Sequence, residues 1–447
     1  MRNNKKLIKL IDINIVLNII IMSQNDQFNE LSINLTKTLT KEVKKSQGIY
    51  FTPKSISTQL VDTALTFIKN KNYLSILEPS CGTCELVQVL DELVENASFT
   101  CYELNQDIYQ SLSSLCFKSK IKFINSDFIK NNDETLYDLI IGNPPYFVCK
   151  KESIPKQYLK HISGRPNMFG LFILHSLSKL KKDGILAFIV PKSFFNSIYY
   201  AKIRNYIRET CKILNIKDYN NNDDFLDTQQ STFGLVLQKL KDLSDNDVEK
   251  ESNLEKVLEL DACNYSLRIP EGGNFIFTED AVKLKTYLEN STTIQKLGLA
   301  VKTGTVVWNE KKELLTMDKT KTILLYNTNV TNDNKICLTS FKNSEKGQYI
   351  NLDGTTDPIL VVNRGNGNSN YAFKYAVIDD LKQPYLVENH LNIIYSENSL
   401  VKKELINLYK KIIKSFEQEK TKEFIQLFFG NNGLSKTELE TILPIYL

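Results

Sequence analysis

The sequence predicts an α/β domain built on a mostly parallel sheet, followed by a mixed α+β domain. Three observations predict it. Short apolar runs alternate with amphipathic stretches, carboxylates stand where three successive runs end, and the texture changes after a polar, acidic stretch at 241–252. A chain of 447 residues, 42% of them hydrophobic, with only 17 Gly and 11 Pro, has room for two or three cores and excludes disorder, collagen and coiled coil. A net charge of +4 neither demands nor forbids nucleic acid, because a local basic surface can sit inside a near-neutral total.

Residues 1–30 are set aside as a disordered extension. Leu7 to Met22 is rich in Ile and Leu, but Asp12, Asn14 and Asn18 interrupt it. It is too short and polar to span a bilayer, and it lacks the unbroken apolar core of a secretory signal. Eight scattered Cys fit a reducing compartment, and three His without metal-site spacing argue against a His-held metal. The expected compartment is the cytoplasm.

The first domain is expected over 31–245. Strands are predicted at 75–77, 98–102, 121–124, 139–141, 185–190 and 233–239, with helices at 86–94, 108–114 and 169–181. Apolar strands with helices between them indicate a parallel sheet covered on both faces. The second domain is expected over 250–447, with β-like runs at 322–327, 359–363 and 371–377 and helical stretches from Lys402.

Four motifs carry candidate chemistry. Leu77-Glu78-Pro79-Ser80-Cys81-Gly82-Thr83-Cys84 follows the first strand and opens a helix. An acid at a strand end followed by a tight loop lets backbone N–H groups approach a ligand, and the acid suits a cationic or hydroxyl-bearing one. An ordinary connecting loop and a Cys81/Cys84 redox pair are competing readings. Glu103 follows the second strand, where a carboxylate can bond ribose hydroxyls. Asp127 and Phe128 follow the third, suited to an adenine amino group and ring; taken singly, such residues are solvated loop groups. Asn143-Pro144-Pro145-Tyr146 follows the fourth. Two prolines fix the backbone and leave carbonyl acceptors without donors. An Asn oxygen and a Pro carbonyl can both accept from one exocyclic amine, while Tyr146 offers a face to a planar group.

In order and content these motifs resemble the class I S-adenosylmethionine-dependent methyltransferases, and within them the N6-adenine DNA methyltransferases of the gamma (Taq-type) arrangement. Gly48-Ile49-Tyr50-Phe51-Thr52-Pro53 occupies the place of that family's first motif, and Asn167-Met168-Phe169-Gly170 and the run 184–191 fit later ones. The resemblance implies a Rossmann-like sheet with a C-terminal α+β target recognition domain. It implies S-adenosylmethionine as cofactor, with Thr52 on its carboxylate, Glu78, Pro79 and Gly82 near its methionine part, Glu103 on the ribose, and Asp127 and Phe128 at its adenine. Asn143 and Pro144 would accept from the target amine, Tyr146 would stack on the extruded base, and Pro145 and Phe225 would contact it. A core Phe at the start of a hairpin is the other reading of Phe225.

The implied activity is adenine-specific methylation of double-stranded DNA within a restriction-modification system. It requires no metal, and the expected enzyme is a monomer outside the membrane. A cognate restriction endonuclease is an admissible partner. The alternative is a glutamine or rRNA-adenine N-methyltransferase, which shares Asn-Pro-Pro-Tyr but, for the glutamine enzymes, lacks so large a second domain. One departure stands out: Cys84 replaces the family's usual Gly, and it is expected to fit provided its φ is negative. The resemblance is specific over 45–240. Trp308 reads equally as core or DNA contact, and Arg364 as a DNA-reaching or an ordinary surface-loop residue.

Overall fold

The computed structural model describes residues 28–69, 73–219, 232–242, 259–260, 263–269, 274–338, 341, 343, 345–364, 371–397, 400–429 and 433–447. The described residues fall into two compact units. One takes those up to 255 with 261–266 and 274–279; the other takes 256–260, 267–273 and 280–447.

The first unit is a seven-stranded sheet: β1 (Leu74–Glu78), β2 (Ala97–Tyr102), β3 (Ile121–Ile124), β4 (Tyr137–Gly142), β5 (Leu180–Pro191), β6 (Cys211–Asp218) and β7 (Thr232–Lys239). Their order is β3-β2-β1-β4-β5-β7-β6. The first five strands pair in parallel, and β7 runs antiparallel between β5 and β6. This is the Rossmann-like class I methyltransferase sheet that the sequence predicts. The six predicted strands are present. β6 was not foreseen, because Lys212, Asn215 and Lys217 break its apolar run.

Alternation along the strands shows why both faces are covered. Leu139, Ile141, Ile185, Ala187 and Ile189 enter one hydrophobic cluster. Ile140, Leu186, Phe188 and Val190 enter the other. Burying each large apolar side chain contributes about 1.5–3 kcal/mol. Helices α1 (Glu30–Thr38), α2 (Lys41–Gln47) and α3 (Lys54–Phe67) precede β1. Helices α4 (Glu85–Leu93), α5 (Gln106–Ser111), α6 (Met168–Lys179) and α7 (Ala201–Thr210) connect strands. The predicted helix at 169–181 stops at Lys179, since Leu180 already pairs with Tyr137.

The expected extension ends too late. Phe28 is buried with Phe51 and Ile108, and the Asn29 side chain caps α1 while its Nδ2 donates to the Thr83 carbonyl (3.0 Å). Residues 1–27 of that extension lie outside the described residues. A single cut near 245 also misses the return of 274–279 to the first unit. There the Phe277 N–H donates to the Phe195 carbonyl (2.9 Å), and the buried Arg204 guanidinium donates to the carbonyls of Phe275, Phe194 and Ser197.

The second unit is α+β. One antiparallel sheet orders Leu299–Thr303, Leu391–Ser396, Ile359–Asn363 and Tyr375–Ile378; another holds Leu315–Thr316, Tyr349–Ile350, Thr322–Leu325 and Tyr385–Val387. Helix α8 (Lys402–Phe416) docks through buried Tyr409, whose hydroxyl donates to the Ile394 carbonyl (3.0 Å). Trp308 packs on a cluster with Val306, Leu324 and Ile350, with the Lys346 ammonium 4.6 Å from its ring centre. The Arg364 guanidinium is tied to the Asn389 carbonyl (2.9 Å). No helix among the described residues is long and apolar enough to cross a membrane.

Candidate active site

At the C-terminal edge of the parallel strands a cavity of about 300 Å³ opens. Parallel strands end there together, so the residues just past β1, β2, β3 and β4 converge without being close in sequence. Pro79, Gly82, Glu103, Asp127, Phe128, Asn143 and Pro145 all line it. Thr52, Glu78, Pro144 and Tyr146 stand just outside that lining, the first three buried. Phe225 lies outside the described residues.

Glu103 is held by main chain. Its Oε2 accepts from the Gly82 N–H (3.0 Å) and its Oε1 from the Asn105 N–H (2.7 Å). Burial nevertheless pushes its carboxyl up to about 7. Glu78, last in β1, is 3% exposed, and its Oε2 has no hydrogen-bond partner. Burial chiefly raises it well above the usual carboxylate range, and Glu85 and Glu103 nearby add to that. An orphaned carboxylate oxygen buried next to a cavity is costly unless something fills the position. Asp127 accepts from the Ile129 N–H (3.0 Å) and pairs with Lys130 (3.2 Å). The Phe128 ring is wedged against Phe172 (5.5 Å between ring centres) and His175 (4.6 Å).

On the other side, Asn143 Nδ2 donates to Thr52 Oγ1 (3.2 Å) and to the Tyr50 carbonyl (3.3 Å). Its Oδ1 accepts from the Tyr146 hydroxyl (2.7 Å), which also lies 2.9 Å from the Ile189 carbonyl. The Tyr146 ring meets Phe169 edge-on at 6.0 Å. The Ser80 hydroxyl donates to the Asn143 carbonyl (3.3 Å), joining the β1 loop to the β4 loop.

Beneath the loop lies a buried polar network that sequence reasoning missed. Glu85 Oε1 accepts from Thr83 Oγ1 (2.6 Å) and from Ser32 Oγ of α1. Burial raises its carboxyl to about 7. Gln47 and Phe147, which line the cavity, were also missed, and Gly48 and Ile49 of the first motif line it without a role of their own having been read from the sequence. A signal existed at Gly48, the left-handed residue (φ 64°) that ends α2, because a Gly after an amphipathic stretch marks a helix end. A Cβ there would sit 2.8 Å from the Tyr146 nitrogen, so only Gly lets this segment lie across the β4 loop.

Cys84 corrects an expectation. Its φ is +64°, not negative, so a side chain occupies the left-handed position where the family has Gly. Its thiol is wholly buried in the hydrophobic cluster on one face of the sheet, beside Cys81 and Cys101. Burial raises the Cys84 thiol well above its usual range.

Residues 63–225 match the model of the Eco57I restriction-modification methylase family. The chain is 36% identical over 214 residues to the modification methylase CviBIII of Paramecium bursaria Chlorella virus NC1A, covering 48% of this chain and 55% of that protein. It is 24% identical over 425 residues to the type II methyltransferase M.CvrRI of Paramecium bursaria Chlorella virus XZ-6E, covering 94% of this chain and 99% of that one. Among solved structures, the type IIG restriction endonuclease BpuSI aligns with 94% of this chain and 61% of its own, at 11% identity and a TM-score of 0.44. The cofactor that goes with the family match is S-adenosylmethionine. The residues present fit it: an orphaned carboxylate oxygen at Glu78 and a buried carboxylate at Glu103 suit a cation and hydroxyls, and Ile108, Phe128 and Phe172 suit a purine.

Proposed function

We propose that this chain, whose residues 63–225 match the restriction-modification methylase family model, methylates N6 of an adenine extruded from duplex DNA. The observation that carries the reading is Asn143, just past β4, held with its amide oxygen as an acceptor in the lining of a cavity that also holds Glu103 and Asp127. S-adenosylmethionine, when bound, supplies an electrophilic methyl group on a sulfonium. Glu103 would bond ribose hydroxyls, Glu78 would sit by the methionine part with Pro79 and Gly82 in the loop, and Asp127 with Phe128 would bound the adenine. Thr52 would hold the carboxylate.

A target base cannot react inside the stack, and extruding it costs a few kcal/mol. Stacking on Tyr146 and contact with Pro145 would offset part of this, at about 1–3 kcal/mol per stacked base. The Asn143 Oδ1 and the Pro144 carbonyl would accept the two amine hydrogens and aim the nitrogen lone pair at the methyl carbon. Alignment does most of the work, and the amine proton leaves after transfer, so no strong base is needed beforehand. The second unit would serve as target recognition domain. Named type II methyltransferases among the relatives, one matched along 94% of this chain, favour DNA over a glutamine side chain. The enzyme would act where DNA is accessible, as a monomer, with or without a companion endonuclease.

The test is tritiated methyl transfer to duplex DNA, followed by sequencing that detects N6-methyladenine. Label is expected in DNA at a fixed sequence. Label confined to protein or RNA overturns the reading.

A further inference from the structure

We propose that the Tyr146 hydroxyl is a resident stand-in for the target amine: it occupies the Asn143 acceptor while no base is bound and yields it to the incoming base. The inference rests on the reading above and deepens it.

The hydroxyl has one hydrogen and two acceptors in reach, Asn143 Oδ1 at 2.7 Å and the Ile189 carbonyl at 2.9 Å. Asn143 cannot turn away to satisfy its oxygen elsewhere, because its Nδ2 is fixed by Thr52 Oγ1 and the Tyr50 carbonyl. Left alone, a half-buried amide oxygen in this setting would be an unsatisfied acceptor. The tyrosine hydroxyl removes that cost in the free enzyme. Burial raises its pKa well above the usual phenol range, so it remains a donor at any working pH.

When an amine arrives, the hydroxyl hydrogen needs only to settle on the Ile189 carbonyl, already at bonding distance at the inner end of β5. No ring rotation is required and no polar group is orphaned in the exchange. The residue that presents a ring to the base thereby also sets how readily that base is accepted. A group with no hydrogen to donate cannot complete the exchange.

Tyr146→Phe keeps the ring and its edge contact with Phe169 but deletes the hydroxyl. In the variant the Asn143 oxygen has no protein donor to be displaced, so a target amine gains more of the bond. The probe is a duplex that keeps adenine at the target mapped by methylation sequencing of wild-type product and carries 2-aminopurine at the neighbouring base, whose stacking is lost when the adenine leaves. DNA containing the site should bind the variant more tightly, by roughly two- to tenfold, from one shared hydrogen bond. The 2-aminopurine fluorescence that reports extrusion should rise with it. In an Asn143→Ala background the same change should have no effect on either readout. Mere structural damage would weaken binding, so unchanged or weaker extrusion in a variant that melts like wild type overturns the proposal. If the variant melts early, the thermodynamic cycle between Tyr146→Phe and Asn143→Ala in urea unfolding decides instead: coupling is expected, and additivity overturns it. If wild-type protein methylates no DNA, the functional reading fails first, and that result is distinct from a failure at Tyr146.

Discussion

Glu103 and Asn143 stand just past the ends of strands in one sheet, but the donors that hold their side-chain oxygens differ in kind. Glu103 is gripped by main-chain N–H groups of Gly82 and Asn105, which cannot move without the fold moving. Asn143 is held on its oxygen by a side-chain hydroxyl that has a second acceptor to fall back on. Main-chain grip makes a fixed socket, and side-chain grip makes an exchangeable one. On the proposed reading, the first would be a prebuilt cofactor half and the second a target half that admits and releases a base.

The sharpest way to break the contrast is Asn143→Ala. Methyl transfer should fall by at least on the order of a hundredfold to a thousandfold, the loss typical of a preorganised polar partner at a reacting atom. Cofactor affinity measured by calorimetry should stay within a small factor of wild type, and joint loss of both would show that the halves are not separate. Glu103→Gln should do the reverse. Cofactor affinity should drop by about tenfold to a hundredfold, the worth of hydrogen bonds to a charged group, and an undiminished affinity would remove Glu103 from the site.

The same variant sharpens the contrast through pH. Glu103's carboxyl is raised from 4.5 to about 7, so the folded state holds its proton where the unfolded chain has lost it. Its stabilising contribution is therefore full below about pH 4.5 and is lost as pH rises to about 7. Glu78 and Glu85 act in the same direction, while His161 and His175, depressed to about 4 mainly by burial, act oppositely below their unfolded value of 6.5. The informative quantity is the difference between proteins. Wild type should lose unfolding free energy relative to Glu103→Gln as pH rises across that window in urea titrations, and parallel curves would contradict it.

The smallest effect is expected at Cys84→Gly. Relieving a left-handed φ at a non-Gly residue returns about 1–2 kcal/mol, offset by the lost thiol packing and the greater freedom of the unfolded chain. A net gain below about 1 kcal/mol should appear as a melting point raised by a few degrees. A marked fall would mean that thiol packing outweighs the strain.

Much of the site was legible because it is written in position. Glu78, Glu103 and Asp127 follow apolar runs, and a parallel sheet gathers such strand ends by topology alone. What escaped depends on contacts between distant residues. Nothing local in Cys-Gly-Thr-Cys specifies the sign of φ at Cys84. Tyr146 reaches Ile189 only because β4 and β5 are neighbours, and Phe28 is buried only because Phe51 and Ile108 meet it. β6 hid behind its lysines, since an edge strand need not be apolar throughout.

The position of β7 has a consequence for how the protein is made. β7 pairs with both β5 and β6, Ile185 meeting Gln238 and Cys211 meeting Lys239. A chain leaving the ribosome can therefore assemble β1 to β4, with every acid of the cavity, while one side of β5 still has no partner. That open edge persists until residue 239 has been synthesised, and it is a template for pairing with another nascent copy. Truncation before Thr232 should thus yield aggregates rather than a smaller soluble domain.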